Sequence, residues 1–450
     1  MGVIAANSSG LPRLRTAIVL FTRDLRVSDN PALDLACRSA ERVVPVFVVH
    51  EGLGFAVPNR VCFLHDCLAD LREGLRRLGG DLVVRRGDPV SEVLRLADEV
   101  SADGLVLARD VSAYARRRWQ RLADGCAERR IALRAVDSVT IVAPGALTPG
   151  GGDHFKVFTP YWRAWSGHRW RGQVPVPPRV TLPLGIGAGA LPAASLPGGP
   201  AATARLPRGG ESVARQRMEQ WLSGGLARYE RRHDDLAGDA TSRLSADLHF
   251  GCLSPLELAL RAGNAGGEGG EAYVRQLCWR DFHAQVACAF GDLPRRDYRP
   301  RRGDWRDEPA ALAAWKAGQT GVPIVDAGMR QLAAEGFMHN RARLVVASFL
   351  TRHLNVHWTA GARHFFDLLV DGDIANNAGN WQWVAGTGND TRPNRRLSPL
   401  RQARRFDPEG EYVRRHVPEL AGIAGAAVHA PWKLERQPRG YPAPLIDPAG

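Results

Sequence analysis

The sequence predicts an α/β N-terminal domain, built on a doubly wound parallel sheet, followed by an all-α C-terminal domain. Three observations predict it. Five short apolar runs alternate with amphipathic stretches in the first third of the chain. A stretch rich in Pro, Gly and Ala, 172–210, then breaks the pattern. From about 211 onward apolar residues recur at helical spacing, with few strand signals. At 450 residues the chain also exceeds what one core normally holds.

The predicted strands are 16–21, 43–49, 82–85, 104–108 and 131–136, with helices at 31–41, 61–78, 90–100 and 114–130 between them. Strand–helix alternation of this kind makes a parallel sheet covered on both faces. The first strand runs into Thr22-Arg23-Asp24-Leu25-Arg26 rather than G-x-G-x-x-G, so the usual dinucleotide fingerprint is absent. In the second half, 327–337, 341–354 and 362–370 read as helices. The expected boundaries are 14–145 for the first domain, 146–210 for an interdomain linker, 211–432 for the helical domain and 433–450 for a tail.

The net charge is +13, carried almost wholly by arginine, since Lys156, Lys316 and Lys433 are the only lysines. Arginine presents a fork of donors that suits phosphate, so a polyanionic partner is expected, although compositional bias produces the same number. The seven cysteines are odd in number and include no C-x-x-C pair, which argues against a disulfide framework, a zinc ribbon or an iron–sulfur cluster. No apolar run has the length of a membrane span and no secretory leader pattern is visible, so a cytoplasmic protein is expected.

Four segments carry chemistry. Thr241-Ser242-Arg243-Leu244-Ser245 places hydroxyls and an arginine just before a predicted helix. That is a phosphate seat or a plain N-cap. Asp371-Gly372-Asp373 sets two carboxylates around a tight turn, able to hold a cation, a ribose or a guanidinium, or to lie solvated. Twelve tryptophans are present, and Trp381 and Trp383 would point to different faces of a helix. Indoles fill cores, and they also stack on nucleobases, flavins or each other. Beyond them lie Arg392, Arg395, Arg396, Arg401, Arg404 and Arg405, a pattern suited to a nucleic-acid backbone. His353, His357 and His364 lack a Cys or Glu partner at ligand spacing, so no metal is expected.

Taken in order, these segments resemble the photolyase/cryptochrome family, in particular its class I cyclobutane pyrimidine dimer photolyases. The resemblance rests on Phe21-Thr22-Arg23-Asp24-Leu25-Arg26, Lys156-Val157-Phe158-Thr159-Pro160, the 241–245 run, Trp279-Arg280-Asp281-Phe282, Gly321-Val322-Pro323-Ile324-Val325-Asp326, 337–343 and 371–388, and it spans roughly 16–432. It implies an antenna domain followed by a helical FAD-binding domain, and light-driven repair of UV-damaged DNA by electron transfer to a flipped-out lesion. Tyr229, Thr241, Ser242, Arg243, Leu244, Ser245, Arg280, Asp371 and Asp373 fall where the family holds FAD. Arg343 would pair with Asp371 beside the flavin, and Asn377 falls where the family faces the reactive flavin nitrogen. Trp381, Trp358 and Trp305 match the chain that passes an electron to photoexcited flavin. Trp279 and Trp383 match the walls of the lesion pocket, Gln276, Asn340 and Arg341 match its polar side, and Arg392 and Arg396 would meet DNA.

The resemblance also implies an antenna chromophore, 5,10-methenyltetrahydrofolate or 8-hydroxy-deazaflavin, and leaves a chain without an antenna open. Ser112 stands where folate-binding members tend to have glutamate. Gln276 replaces the usual glutamate, Leu344 a methionine and Phe337 a tryptophan, and these departures bear on lesion preference. A cryptochrome photoreceptor and a non-catalytic DNA-binding flavoprotein are the alternatives. The retained pocket and the short stretch after Lys433 favour repair. A monomer with no obligate protein partner is expected.

Overall fold

The computed structural model describes residues 13–50, 56–196, 199–301, 303–389 and 395–447. The first strand is β1 (Leu14–Leu20). Helix α1 (Pro31–Ser39) starts where Asn30 accepts the amides of Ala32 and Leu33 at 3.0 Å, with Pro31 preset for the first turn. Then come β2 (Ala40–Val49), α2 (Pro58–Arg77), β3 (Val83–Arg86), α3 (Pro89–Glu99), β4 (Gly104–Ala108), α4 (Ala113–Glu128) and β5 (Ala132–Val136). All five pair in parallel, in the order β3-β2-β1-β4-β5, so the chain winds out from β1 in both directions. Every predicted strand is present, with its ends displaced by three residues or fewer.

The central strand is buried on both faces. Ile18 and Leu20 pack with Val90, Val93, Leu96 and Leu122. Ala17 and Val19 belong to a different cluster, which holds Phe63 and Leu71 from α2 and continues to Leu248, Phe250 and Phe282 of the helical half. One apolar core therefore runs from the sheet into the second half of the chain. Within 146–210 lies α5 (Phe158–Gly167). The stretch beyond it is bonded to the sheet: Val43 donates to Thr181 O at 2.8 Å, Val84 to Ala188 O at 2.7 Å, and Arg72 to Ala188 O and Gly189 O.

The helical half comprises α6 (Glu211–Gln220), α7 (Tyr229–Arg232), α8 (Ser245–Phe250), α9 (Pro255–Ala265), α10 (Gly267–Ala289), α11 (Pro309–Ala317), α12 (Pro323–Glu335), α13 (Asn340–Ser348), α14 (Trp358–Leu368), α15 (Ile374–Ala385), α16 (Pro399–Phe406) and α17 (Glu411–His416). The helix expected at 341–354 is divided. After α13 the chain widens into a π turn at Phe349–His353, where Thr351 Oγ1 bonds the carbonyl of Ala347 at 2.7 Å. Two glycines bring α15 close to its neighbours. A Cβ on Gly379 would lie 2.2 Å from His283 of α10, and one on Gly361 of α14 would lie 2.2 Å from the ring of Trp381.

Candidate functional site

In the turn before α15 each carboxylate takes a guanidinium. Arg343 of α13 donates to both oxygens of Asp371, at 2.9 and 3.3 Å. Burial works to raise the Asp371 carboxyl, but Arg343 and the Ser245 hydroxyl hold it below its ordinary value. Asp373 caps α15 by accepting the Asn376 amide at 2.8 Å. It also takes Arg23, which reaches across from the loop after β1 and donates to Asp110 at 3.2 Å. Burial again opposes ionisation, yet Arg23 and His249 hold Asp373 well below the usual carboxylate range. The start of α15 is thus fixed to both halves of the molecule.

Ser242 does not cap α8. Leu244 occupies the cap position, and no side chain caps the helix. Instead, Tyr273 of α10 donates its hydroxyl to Ser242 Oγ at 2.9 Å, while Thr241 Oγ1 is buried with no partner. Arg243 sits in a left-handed conformation (φ +51°) and pairs with Asp239 and with Glu335, at 3.0 Å, over the Phe337 ring. Strain of this kind gathers at functional sites. Tyr229 packs edge-on against Tyr273 at 5.2 Å. Tyr229 and Ser242 are therefore joined through Tyr273, and Ser245 and Arg343 meet at Asp371, two residues before Asp373. Arg280 bonds the carbonyls of Val139 and Leu248, and with Arg23, Asp110 and Asp373 it lines a cleft between the halves.

Trp381 and Trp383 diverge as the helical spacing requires. Trp381 is buried against Phe365 at 4.9 Å and Trp315 at 6.1 Å, whereas Trp383 is half-buried with Arg395 above it at 5.5 Å. Trp358 is fully buried at the start of α14, one helical turn before Gly361, whose Cα faces Trp381. His357 lies 5.8 Å from Trp358 and 5.0 Å from the half-buried Trp305. Asn377 donates its amide to Ala362 O at 2.9 Å, which leaves its oxygen as an acceptor.

Along α10, Tyr273, Gln276, Arg280 and His283 follow helical spacing, and Trp279 lies beside them. Trp279 stacks on Phe158 of α5, centroids 3.7 Å apart and planes within 4°. Gln276, Asn340 and Arg396 are exposed. Arg341 is held by Asp234 at 3.0 Å over the Phe406 ring. Arg392 lies outside the described residues. Ser112 caps α4, accepting the Ala115 amide at 3.1 Å.

Sequence reasoning assigned no role to Tyr273, Arg23 or His249. Tyr273 was findable, three residues before Gln276 on one helical face. Arg23 and His249 find their partners only in space.

The fold and these residues define a class: a parallel α/β domain joined to a helical domain whose hydroxyl, arginine and carboxylate groups lie on helices that also carry buried and half-buried indoles. Residues 17–180 match the family model "DNA photolyase", and residues 273–450 match "FAD binding domain of DNA photolyase". The chain is 53% identical over 448 residues to the deoxyribodipyrimidine photo-lyase of Streptomyces griseus, covering 96% of this chain and 97% of that one. A class III photolyase from Agrobacterium tumefaciens superposes with a TM-score of 0.90 at 32% identity, covering 98% and 96%. A Synechocystis cryptochrome superposes with a TM-score of 0.89 at 27% identity, covering 98% and 97%. The chain belongs to the DNA photolyase family. Its residues fit FAD. The orphaned Thr241 hydroxyl, the uncapped start of α8 and the anionic Asp371 clamped by Arg343 form a donor and acceptor set for a phosphate-bearing, ribityl-bearing cofactor.

Proposed function

We propose that this protein is a light-driven DNA repair enzyme, a deoxyribodipyrimidine photo-lyase that splits cyclobutane pyrimidine dimers. The observation that carries this reading is that exposed Gln276 and Asn340 and half-buried Trp279 and Trp383 lie on the same helices, α10, α13 and α15, as the Tyr273, Arg343 and Asn377 groups that fit FAD.

Arg395 and Arg396 meet the DNA backbone, so affinity falls as salt rises. A lesion already poorly stacked is extruded at modest cost, and the flat faces of Trp279 and Trp383 receive it. Phe158 behind Trp279 keeps that wall from tilting. Gln276 donates and accepts hydrogen bonds without charge. Ser242, Ser245, Tyr229 and the Arg343–Asp371 pair hold the FAD, and Arg23 and Asp373 fix the helix that bears Asn377. The oxygen of Asn377, oriented by the bond to Ala362, would accept a hydrogen bond from a flavin N–H. When bound and reduced, FAD supplies a photoexcitable electron donor. Trp381, buried, leads through Trp358 to Trp305 and supplies electrons for reduction of the cofactor in the light.

The test is purified protein with oligonucleotides carrying either a cyclobutane dimer or a (6-4) product, with and without blue light. Cyclobutane repair only in light is the expected result. Tight lesion binding with no repair would overturn it in favour of a non-catalytic binder, and flavin photoreduction with neither binding nor repair would favour a photoreceptor.

A further inference from the structure

Trp358 is fully buried, and its indole N–H is committed to a carboxylate. Trp358 Nε1 donates to Asp297 Oδ1 at 2.7 Å. Asp297 lies in the loop after α10, and that loop is held in place by Gln382, the fully buried residue between Trp381 and Trp383. Gln382 donates to the carbonyls of Leu293 at 2.7 Å and Arg296 at 3.0 Å, and accepts the Tyr298 amide at 2.7 Å. The two residues flanking Asp297 are therefore both fixed by the helix that carries Trp381, and the carboxylate is aimed before any electron moves.

The outer indole meets the opposite charge. The Arg301 guanidinium lies over Trp305, 4.3 Å from the ring centroid, and is fixed by Asn355 Oδ1 at 2.9 Å. A cation over the face disfavours positive charge on Trp305, whereas an anion on the N–H favours it on Trp358. A tryptophan that has lost an electron becomes a strong N–H acid, and the only group bonded to this N–H among the described residues is Asp297.

We propose that Asp297 is the proton acceptor of the light-driven electron chain, so that oxidised Trp358 is trapped as a neutral radical. The proposal rests on the reading of Trp381, Trp358 and Trp305 as that chain. The electron leaves Trp381 for the photoexcited oxidised flavin, and Trp358 refills Trp381. The Trp358 N–H bond then breaks, and its proton forms an O–H bond on Asp297. The indole keeps an unpaired electron and no charge, while the carboxylate becomes a neutral acid. Return of the electron to flavin-oxidised Trp358 now requires the proton to come back, which slows recombination. A small thiol reductant in solution later returns the electron, and Asp297 returns the proton.

The experiment is flash photolysis of the oxidised holoenzyme, with transient visible absorption to separate cationic from neutral tryptophanyl radical and infrared difference spectra to detect a protonated carboxylic acid. In the wild type the neutral radical and the acid band should rise together, more slowly in D₂O. Asp297→Asn should lose the acid band and shorten the radical lifetime by roughly tenfold or more, the scale of one hydrogen bond to a charged group. Asp297→Glu should restore both in part, and circular dichroism and flavin content report whether each variant is folded. A radical that stays cationic in the wild type, or an acid band that survives in Asp297→Asn, overturns the proposal while leaving the electron chain intact. No tryptophanyl radical at all overturns both. The isotope effect and the infrared band in the wild type need no variant to fold.

Discussion

Gly361→Ala isolates what holds Trp381 in place. Gly361 lies inside α14, where alanine is intrinsically favoured over glycine by about 1 kcal/mol. Packing opposes that gain. The added methyl would sit 2.2 and 2.6 Å from two ring carbons of Trp381 and 2.7 Å from Leu350, against 3.4 Å or more in ordinary contact. The indole would have to retreat by more than 1 Å, yet Phe365 and Trp315 already stand against it at 4.9 and 6.1 Å between centroids. Overpacking of this degree costs about 3 kcal/mol, the top of the usual range, so a net loss of about 2 kcal/mol is expected. Gly263 in α9 is the control, because a methyl there meets only Val274, at 4.0 Å, and should stabilise by up to about 1 kcal/mol. Urea denaturation followed by circular dichroism measures both. Gly361→Ala should also slow flavin photoreduction by displacing Trp381. Equal stability changes in the two variants, or a Gly361→Ala protein as stable as wild type, would refute the packing argument.

Three further outcomes are expected. Arg23→Met should destabilise by about 2–4 kcal/mol, because it leaves the Asp373 carboxylate buried without its main partner, and Asp373→Asn in the same chain should recover part of that loss; denaturation of the two single variants and the double variant measures the coupling. Phe158→Leu should weaken lesion binding by about 0.5–1.5 kcal/mol, the worth of one aromatic pair, in titrations with dimer-containing DNA, while Trp383→Ala should cost about 1–3 kcal/mol. Burial pushes His283 down to about 4, so the stability it supplies as a neutral ring is complete above its ordinary value of 6.5 and is lost as pH falls toward 4. Wild type should therefore lose about 2 kcal/mol more than His283→Gln between pH 7 and pH 5, and identical pH profiles would rule this out.

The fold was legible because its signals are local. Each strand holds a short apolar stretch, and Asn30, Asp88 and Ser112 cap helices within a few residues of their own positions. The divergence of Trp381 and Trp383 follows from helical geometry alone, and the structure has it. The π turn at Phe349–His353 was not legible, because its apolar spacing matches that of a helix and the widening follows from tertiary bonds such as Thr351 to Ala347. The site was legible in part. The 241–245 run read more readily as a plain cap than as a ligand seat, but Leu244 takes the cap position and Ser242 accepts the Tyr273 hydroxyl from α10.

By itself the sequence determined the two kinds of domain, the order of elements and the family-matching motifs, since periodicity and turn chemistry act over a few residues. The tertiary structure alone decided which charges meet. Arg23 pairs with Asp373 across 350 positions of chain, and Gln382 aims Asp297 at Trp358 from a helix some 85 residues away. Such pairs leave no periodic trace in the sequence, because they form only when burial brings distant segments together and excludes the water that would otherwise satisfy them.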